Sequence, residues 1–484
     1  MTNFRLESKM SAGVPLRTRL RIEKSAQLPR AALIYGIREL ARRAGVSSEQ
    51  FRTWRIDFED PTAVTVFVKP GTSSRLRFAS ASQRFWNNLG SGAFHTSTAG
   101  WMRDPEWSPV RDFKIPFSSD HRSEIGPLFR ACGVDCIECP VDLLSSTVLT
   151  LARFEETLPV PRDAHGRFPA RSSIAWKDQF LYRPIVDEYG LALEQALSYL
   201  LPGWTAPVRR LRLKLGHDVD DIGIPFSVRA AVGHTLRRKR PLASFRDLLA
   251  AGIGVETTYQ KLLRTIVELS LERDLDSAVY WKASSQGPHD SGYDPNHDRV
   301  KNMIADFRSQ GIEMGIHPGY DTADSVEILA AEVSALRKLL GENRLGGRQD
   351  FLRWTPQMWI QWDSLGLSYD ASVGFADHIG FRAGTAYPFC PWLLSENREA
   401  KLLEIPLLAM DSTLFAYMKL GPEEALTQLQ EYAARCRTVG GVFTLVWHNT
   451  TLMNRHYLRV YKRFLRELAG TDRYDWRAAL DEIV

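Results

Sequence analysis

From residue 208 onward the chain alternates short extended runs with helical ones, and this pattern limits the possible folds more than any other feature. Residues 211–219 read as a strand, because Leu211, Leu213 and Leu215 alternate with Arg212 and Lys214 in the period of two of a half-buried strand. Helical segments follow through Arg273. Next come strand 278–281, helix 297–310, strand 312–317, helix 323–340, a short strand near Leu345, helix 354–364 and an extended run at 367–373. After a long loop, strand 402–408, helix 422–436, strand 441–447 and helix 454–468 complete the series. Such alternation predicts parallel strands with helices outside, as a barrel or an open sheet. In both, chemistry collects at the C-terminal ends of the strands.

That rule picks out four strand ends. The first carries His217, Asp218, Asp220 and Asp221 within five residues. Packed carboxylates raise each other's pKa unless a cation or hydrogen bonds compensate them, and a bound metal is one such compensation. The plainer alternative is a turn with a helix cap after Ile222. The strand at 312–316 ends in His317, and the strand at 441–447 ends in His448. The strand near Leu345 ends in Arg348, Gln349 and Asp350. Each histidine alone suits a structural role. Acid, imidazole and guanidinium arriving together on one face of a parallel sheet indicate an active site.

The chain has 484 residues, too many for one ordinary core, so two domains are expected, 1–205 and 206–484. Pro202-Gly203-Trp204-Thr205-Ala206-Pro207 is the linker candidate. The first part reads as a smaller mixed α/β unit. It has helices at 31–45, 143–158 and 185–201, strands at 64–68 and 76–78, and Gly-, Ser- and Trp-rich loops from 86 to 119. No catalytic cluster appears in it.

A net charge of +5, with one basic run at 237–240, gives no reason to expect nucleic acid. The N-terminus, MTNFRLESKMSAG, has no signal-peptide core, and no apolar run reaches membrane-helix length. A cytoplasmic chain is the expectation. Cys132, Cys136 and Cys139 lack a fourth nearby ligand for zinc and read as reduced thiols.

Five ordered motifs in residues 208–470 resemble the polysaccharide deacetylase family, also called the NodB-homology or carbohydrate esterase family 4 group. They are His217-Asp218-Val219-Asp220, Glu313-Met314-Gly315-Ile316-His317-Pro318, Gly347-Arg348-Gln349, Tyr369-Asp370-Ala371-Ser372 and Leu445-Val446-Trp447-His448. A weaker likeness, to the region preceding this domain in a bacterial subgroup, lies in Ala152-Arg153-Phe154-Glu155-Glu156, Gly166-Arg167-Phe168 and Arg183-Pro184.

The resemblance implies a distorted (β/α) barrel and a metal-dependent hydrolase that removes acetyl groups from an N- or O-acetylated sugar. The same machinery would serve a small non-sugar amide, and a homologue without metal would only bind carbohydrate. By the resemblance Asp218 is the general base, Asp220 and His317 are ligands of a divalent metal such as Zn²⁺, Arg348 holds the base and His448 is the general acid. The family's second metal histidine is replaced here by Asp321, which either ligates the metal or caps a helix. Asp377, Arg382 and Tyr387, in a loop at 374–391 that could close over the site, and Trp447 are candidate substrate contacts. Asp411 is a candidate partner for His448. Trp354, Trp359, Trp362 and Trp392 either stack on sugar or pack in the core. His289, Tyr293 and Asp294 carry no assignment.

Overall fold

The computed structural model describes residues 28–81, 83–92, 95–106, 108–118, 122–223, 255–275, 277–283 and 293–483. The N-terminal stretch, the basic run at 237–240 and His289 lie outside them.

Nine strands of the C-terminal part form one parallel sheet. They are β1 (Arg212–Asp218), β2 (Ser277–Trp281), β3 (Glu313–Ile316), β4 (Gly346–Gly347), β5 (Tyr369–Asp370), β6 (Leu403–Glu404), β7 (Ala409–Met410), β8 (Val442–Val446) and β9 (Asp472–Arg473). The order is β6-β5-β4-β3-β2-β1-β8-β7, and β9 pairs with the start of β1. The sheet curls into a distorted barrel, open where the chain passes from β6 to β7. Of the strand expected at 402–408 only Leu403–Glu404 forms, as β6, and β7 begins just beyond it and pairs with β8 instead. Local signals set the connecting helices. Thr257 and Gln260 form a capping box on Thr258–Leu271, Ser325 caps Val326–Leu340, and left-handed Gly341 and Gly440 end the helices before them.

β1 departs from the half-buried expectation, because it is buried along nearly its whole length. Its even-numbered residues face the barrel interior. Lys214 pairs there with Glu313 of β3, which also accepts from the Tyr369 hydroxyl. The alternation of charged and apolar residues is real, but its charged side points into a polar barrel rather than into water.

The N-terminal part is mixed α/β, as expected. A five-stranded sheet runs Arg55–Asp57, Ala63–Phe67, Arg75–Ala79, Cys136–Cys139, Arg130–Gly133. Three further strands form a second sheet; Ser97–Gly100 and Phe113–Ile115 occupy part of the stretch read as loops, and Glu124–Pro127 lies beyond it. Cys132 and Cys136 form a disulfide across the hairpin of the last two strands of the first sheet, which corrects the reading of those two as reduced thiols, while Cys139 is a buried thiol as expected. The helix expected at 143–158 stops at Leu151, because Arg153 turns left-handed (φ 53°) and pairs with Glu155 and Glu156.

The apolar core is continuous across residue 205. No helix among the described residues is long and apolar enough to cross a membrane.

Candidate functional site

Parallel register brings the C-terminal ends of β1, β3, β4 and β8 to one rim. His217 closes β1 on its outer side. Its Nδ1 lies 2.9 Å from the Trp447 carbonyl and its Nε2 3.2 Å from Ser277 Oγ. Burial pulls its pKa down to about 4, so this imidazole is neutral and structural.

Asp218 and Asp220 point inward, while Val219 between them is fully buried. Arg348 Nη1 donates to Asp218 Oδ1 at 2.6 Å, and its Nε donates to the Ala371 carbonyl at 2.9 Å. The guanidinium lies against Gly216 of β1. A Cβ there would stand 3.1 Å from both Nη atoms, so only glycine leaves the arginine its place.

His317 Nδ1 is tied to the Arg348 carbonyl at 2.8 Å, which leaves Nε2 facing the rim. Nε2 lies 3.3 Å from Asp220 Oδ1 and 3.2 Å from Asp350 Oδ1. The other oxygen of Asp350 accepts from Lys282 Nζ at 2.7 Å. Ligand atoms of Asp220, His317 and Asp350 all lie within 4.8 Å of one another, a spacing that could hold a metal ion. Asp220 is partly open to solvent, which leaves an approach for water or substrate.

His448 completes the rim. Asp411 accepts from its backbone N–H at 2.8 Å and lies 2.6 Å from its Nδ1, fixing the ring. Its Nε2 sits 3.6 Å from Asp220 Oδ2.

The electrostatics fit a cation. Burial alone would depress both imidazoles. Yet the charge of Asp218 and the hydrogen bonds to Asp220 and Asp350 push His317 up to about 10, and Asp411 with Asp220 and Asp218 does the same to His448. Burial is likewise outweighed at Asp220, which His317, His448 and Lys282 hold below the usual carboxylate range. The rim thus carries surplus negative charge, which two protonated imidazoles neutralise and a divalent ion would neutralise as well. One imidazole and two carboxylates, with solvent on one side, suit such an ion.

The position of Asp321 differs from the expectation. It lies exposed on the turn Tyr320–Ala323, outside the group of three. Asp350 stands in the third position instead. One signal for it was available. Asp350 follows Arg348 by two residues, the same spacing as Asp218 and Asp220. Lys282, the first residue beyond β2, was missed because a single lysine carries no pattern.

The four substrate candidates all have protein partners. Arg382 is buried and donates through Nε to Glu156 at 2.9 Å and through Nη1 to the Gly374 carbonyl at 2.8 Å. Asp377 accepts from the Ala170 backbone at 3.0 Å. Tyr387 donates to the Val439 carbonyl at 3.0 Å, at the opposite end of β8. Trp447 is fully buried against Tyr461 and Phe415. The loop at 374–391 packs through Ala376 against Leu352, Met410 and Val446. It packs against Leu181, Thr150 and Ile185 of the N-terminal part. Trp354, Trp359, Trp362 and Trp392 are core residues. Tyr293 is buried and its hydroxyl accepts from the Lys282 backbone N–H at 2.9 Å, while Asp294 Oδ1 accepts from the Asn296 N–H at 2.8 Å.

A model described as "Family of unknown function (DUF7033)" matches residues 75–202. No curated protein matches the sequence. Among solved structures, a protein described as a polysaccharide deacetylase from Mycobacterium smegmatis aligns at 11% identity and TM-score 0.41, covering 58% of this chain and 93% of its own. An allantoinase aligns at 15% identity and TM-score 0.39, covering 66% and 95%. A probable polysaccharide deacetylase from Pseudomonas aeruginosa PAO1 aligns at 14% and 0.39, covering 59% and 95%. The family that the motifs resemble recurs among these neighbours.

Proposed function

We propose that the chain is a metal-dependent hydrolase that removes acetyl groups from an N- or O-acetylated sugar. One observation carries the hydrolase reading: an arginine-held carboxylate, a cation-ready Asp–His–Asp group and an aspartate-oriented imidazole share one rim. The sugar rests on the motif resemblance.

Asp220, His317 and Asp350 would hold the ion. When bound, a divalent ion polarises an acyl carbonyl and lowers the pKa of water. Asp218, held in place by Arg348, takes a proton from the attacking water. His448, protonated and aimed by Asp411, gives a proton to the departing amine or alkoxide. Asp411 also keeps the ring in the tautomer and orientation this transfer needs.

The test is acetate release from a panel of N- and O-acetylated amino sugars and oligosaccharides, with and without chelator. Release that stops on chelation and returns with Zn²⁺, Mn²⁺ or Co²⁺ supports the reading. A metal-loaded protein that cleaves only non-sugar amides would be an amidohydrolase of another class. A protein that takes up no divalent ion under any condition would overturn the metal-dependent reaction.

A further inference from the structure

A turn of the N-terminal part, 163–167, packs against the segments that follow the rim residues. It is self-braced. Asp163 Oδ1 accepts from the backbone N–H groups of His165 and Arg167, both at 2.9 Å, and Asp163 Oδ2 accepts from Arg167 Nε at 2.7 Å. This aims the other two guanidinium nitrogens outward. Nη1 donates to the Phe351 carbonyl and Nη2 to the Tyr417 hydroxyl, each at 3.0 Å. Contacts also run the other way. Arg353 donates to the His165 carbonyl at 3.0 Å and to the Tyr320 carbonyl at 2.6 Å, and His165 Nδ1 lies 3.0 Å from the Tyr320 hydroxyl.

Each of the three segments gripped here follows a residue of the rim. Tyr320 follows His317, Phe351 follows Asp350, and Tyr417 ends the π-helical turn after Asp411. Phe351 and Leu352 are left-handed, with φ of 56° and 53°, a conformation non-glycine residues rarely take. Such backbone persists where its surroundings over-determine it. Here the Phe351 N–H donates to Asp350 Oδ1 at 3.0 Å while its carbonyl is held by Arg167. The same carboxylate oxygen faces His317.

We propose that the turn at 163–167 is part of the centre, with Arg167 a positioning residue that fixes where Asp350 presents its oxygen to the cation. This rests on the reading of Asp220, His317 and Asp350 as the cation-holding group. The N-terminal part, in which the sequence shows no catalytic cluster, thereby completes the site.

The experiment titrates Zn²⁺ into metal-free full-length protein and follows amide exchange at 351–354 in chelator. Wild type is compared with Arg167→Ala, Arg167→Lys and the double variant Arg167→Ala with Phe351→Gly. Arg167→Ala should weaken Zn²⁺ binding by roughly 10- to 100-fold, the usual cost of losing a group that orients a ligand. Exchange at 351–354 should accelerate, with the near-UV spectrum unchanged. Arg167→Lys should recover only part, because an ammonium cannot bridge both acceptors in a fixed fork. Phe351→Gly should restore affinity in the Arg167→Ala background, since glycine takes the left-handed turn unaided. Unchanged affinity and exchange in Arg167→Ala would overturn the proposal, as would no recovery from Phe351→Gly. Should Arg167→Ala not fold, Arg167→Lys carries the same comparison. If wild type binds no Zn²⁺, the metal reading falls, and exchange at 351–354 alone decides whether Arg167 holds the turn.

Discussion

Asp218 and Asp220 sit two residues apart and face the same way, yet their partners give them different work. Asp218→Asn should leave divalent-ion affinity near normal and lower turnover by roughly two to four decades, the range for a lost general base. Asp220→Asn and Asp350→Asn should weaken ion binding first, while Asp321→Asn should change neither quantity. Calorimetric titration beside acetate release separates these outcomes. Asp411 is the largest influence raising His448, so Asp411→Asn should move the alkaline limb of the pH–kcat/KM profile to lower pH. A different carboxylate governs stability. Burial pushes Asp370 up to about 6, against the opposing pull of Ser372, Trp354 and Arg348. A carboxyl raised on folding contributes fully below its unfolded pKa, and that contribution is lost as pH rises through the folded value. Asp370→Asn keeps an acceptor for Ser372 and should therefore stabilise the protein at pH 8 by about 1–3 kcal/mol, with no gain near pH 3, as read by urea unfolding. Asp218, Asp220, His317, Arg348 and His448 were legible in the sequence because each ends a strand. Asp350 was overlooked because the resemblance drew attention to Asp321, the position aligned with a family ligand.

Among elements, β1, β2, β3 and β8 were legible, β4, β5 and β6 only as looser extended runs near 345, 367–373 and 402–408, and β7 and β9 not at all. β1, β2, β3 and β8 carry apolar runs, whereas β4 is Gly346-Gly347 and has no side chain to show a period. Those glycines answer to packing. A Cβ on Gly347 would stand 1.9 Å from the Ile316 carbonyl, and one on Gly346 would stand 2.1 Å from the Tyr369 ring. Gly216 in β1 answers to chemistry. Gly216→Ala should displace the Arg348 guanidinium by a few tenths of an ångström and loosen its hold on Asp218. Turnover should fall by roughly one to two decades, with ion affinity kept, because small misplacements of reacting groups are costly. Lost ion binding in that variant would show that β1 places Asp220 through Gly216 as well.

At the scale of the whole molecule, buried charge joins the two parts. Arg43 pairs with Glu39 at 2.6 Å and Asp187 at 2.7 Å, and donates to Thr385 at 3.0 Å. Arg382 meets Glu156 with both side chains almost wholly buried. Removing one partner of such a pair costs about 3–5 kcal/mol. Residues 206–484 made alone should therefore be insoluble or unfolded by circular dichroism, and Glu156→Gln in the full chain should lower its urea midpoint. The sequence suggested a linker at 202–207, but neither Arg382 nor Glu156 could reveal its partner, because they are 226 residues apart. The central place of β1 bears on how the protein is made. β1 lies between β2 and β8, and His217 and Trp447, which hydrogen-bond where β1 and β8 end, are 230 residues apart. At about 5–20 residues per second, β1 leaves the ribosome roughly 10–50 s before β8 can cover its second edge. During that wait it is an open template for other nascent chains. Its inward charges, Lys214 and Asp218, are then exposed to water and act as gatekeepers. The residues that later line the barrel's polar interior thus first keep the newborn strand soluble.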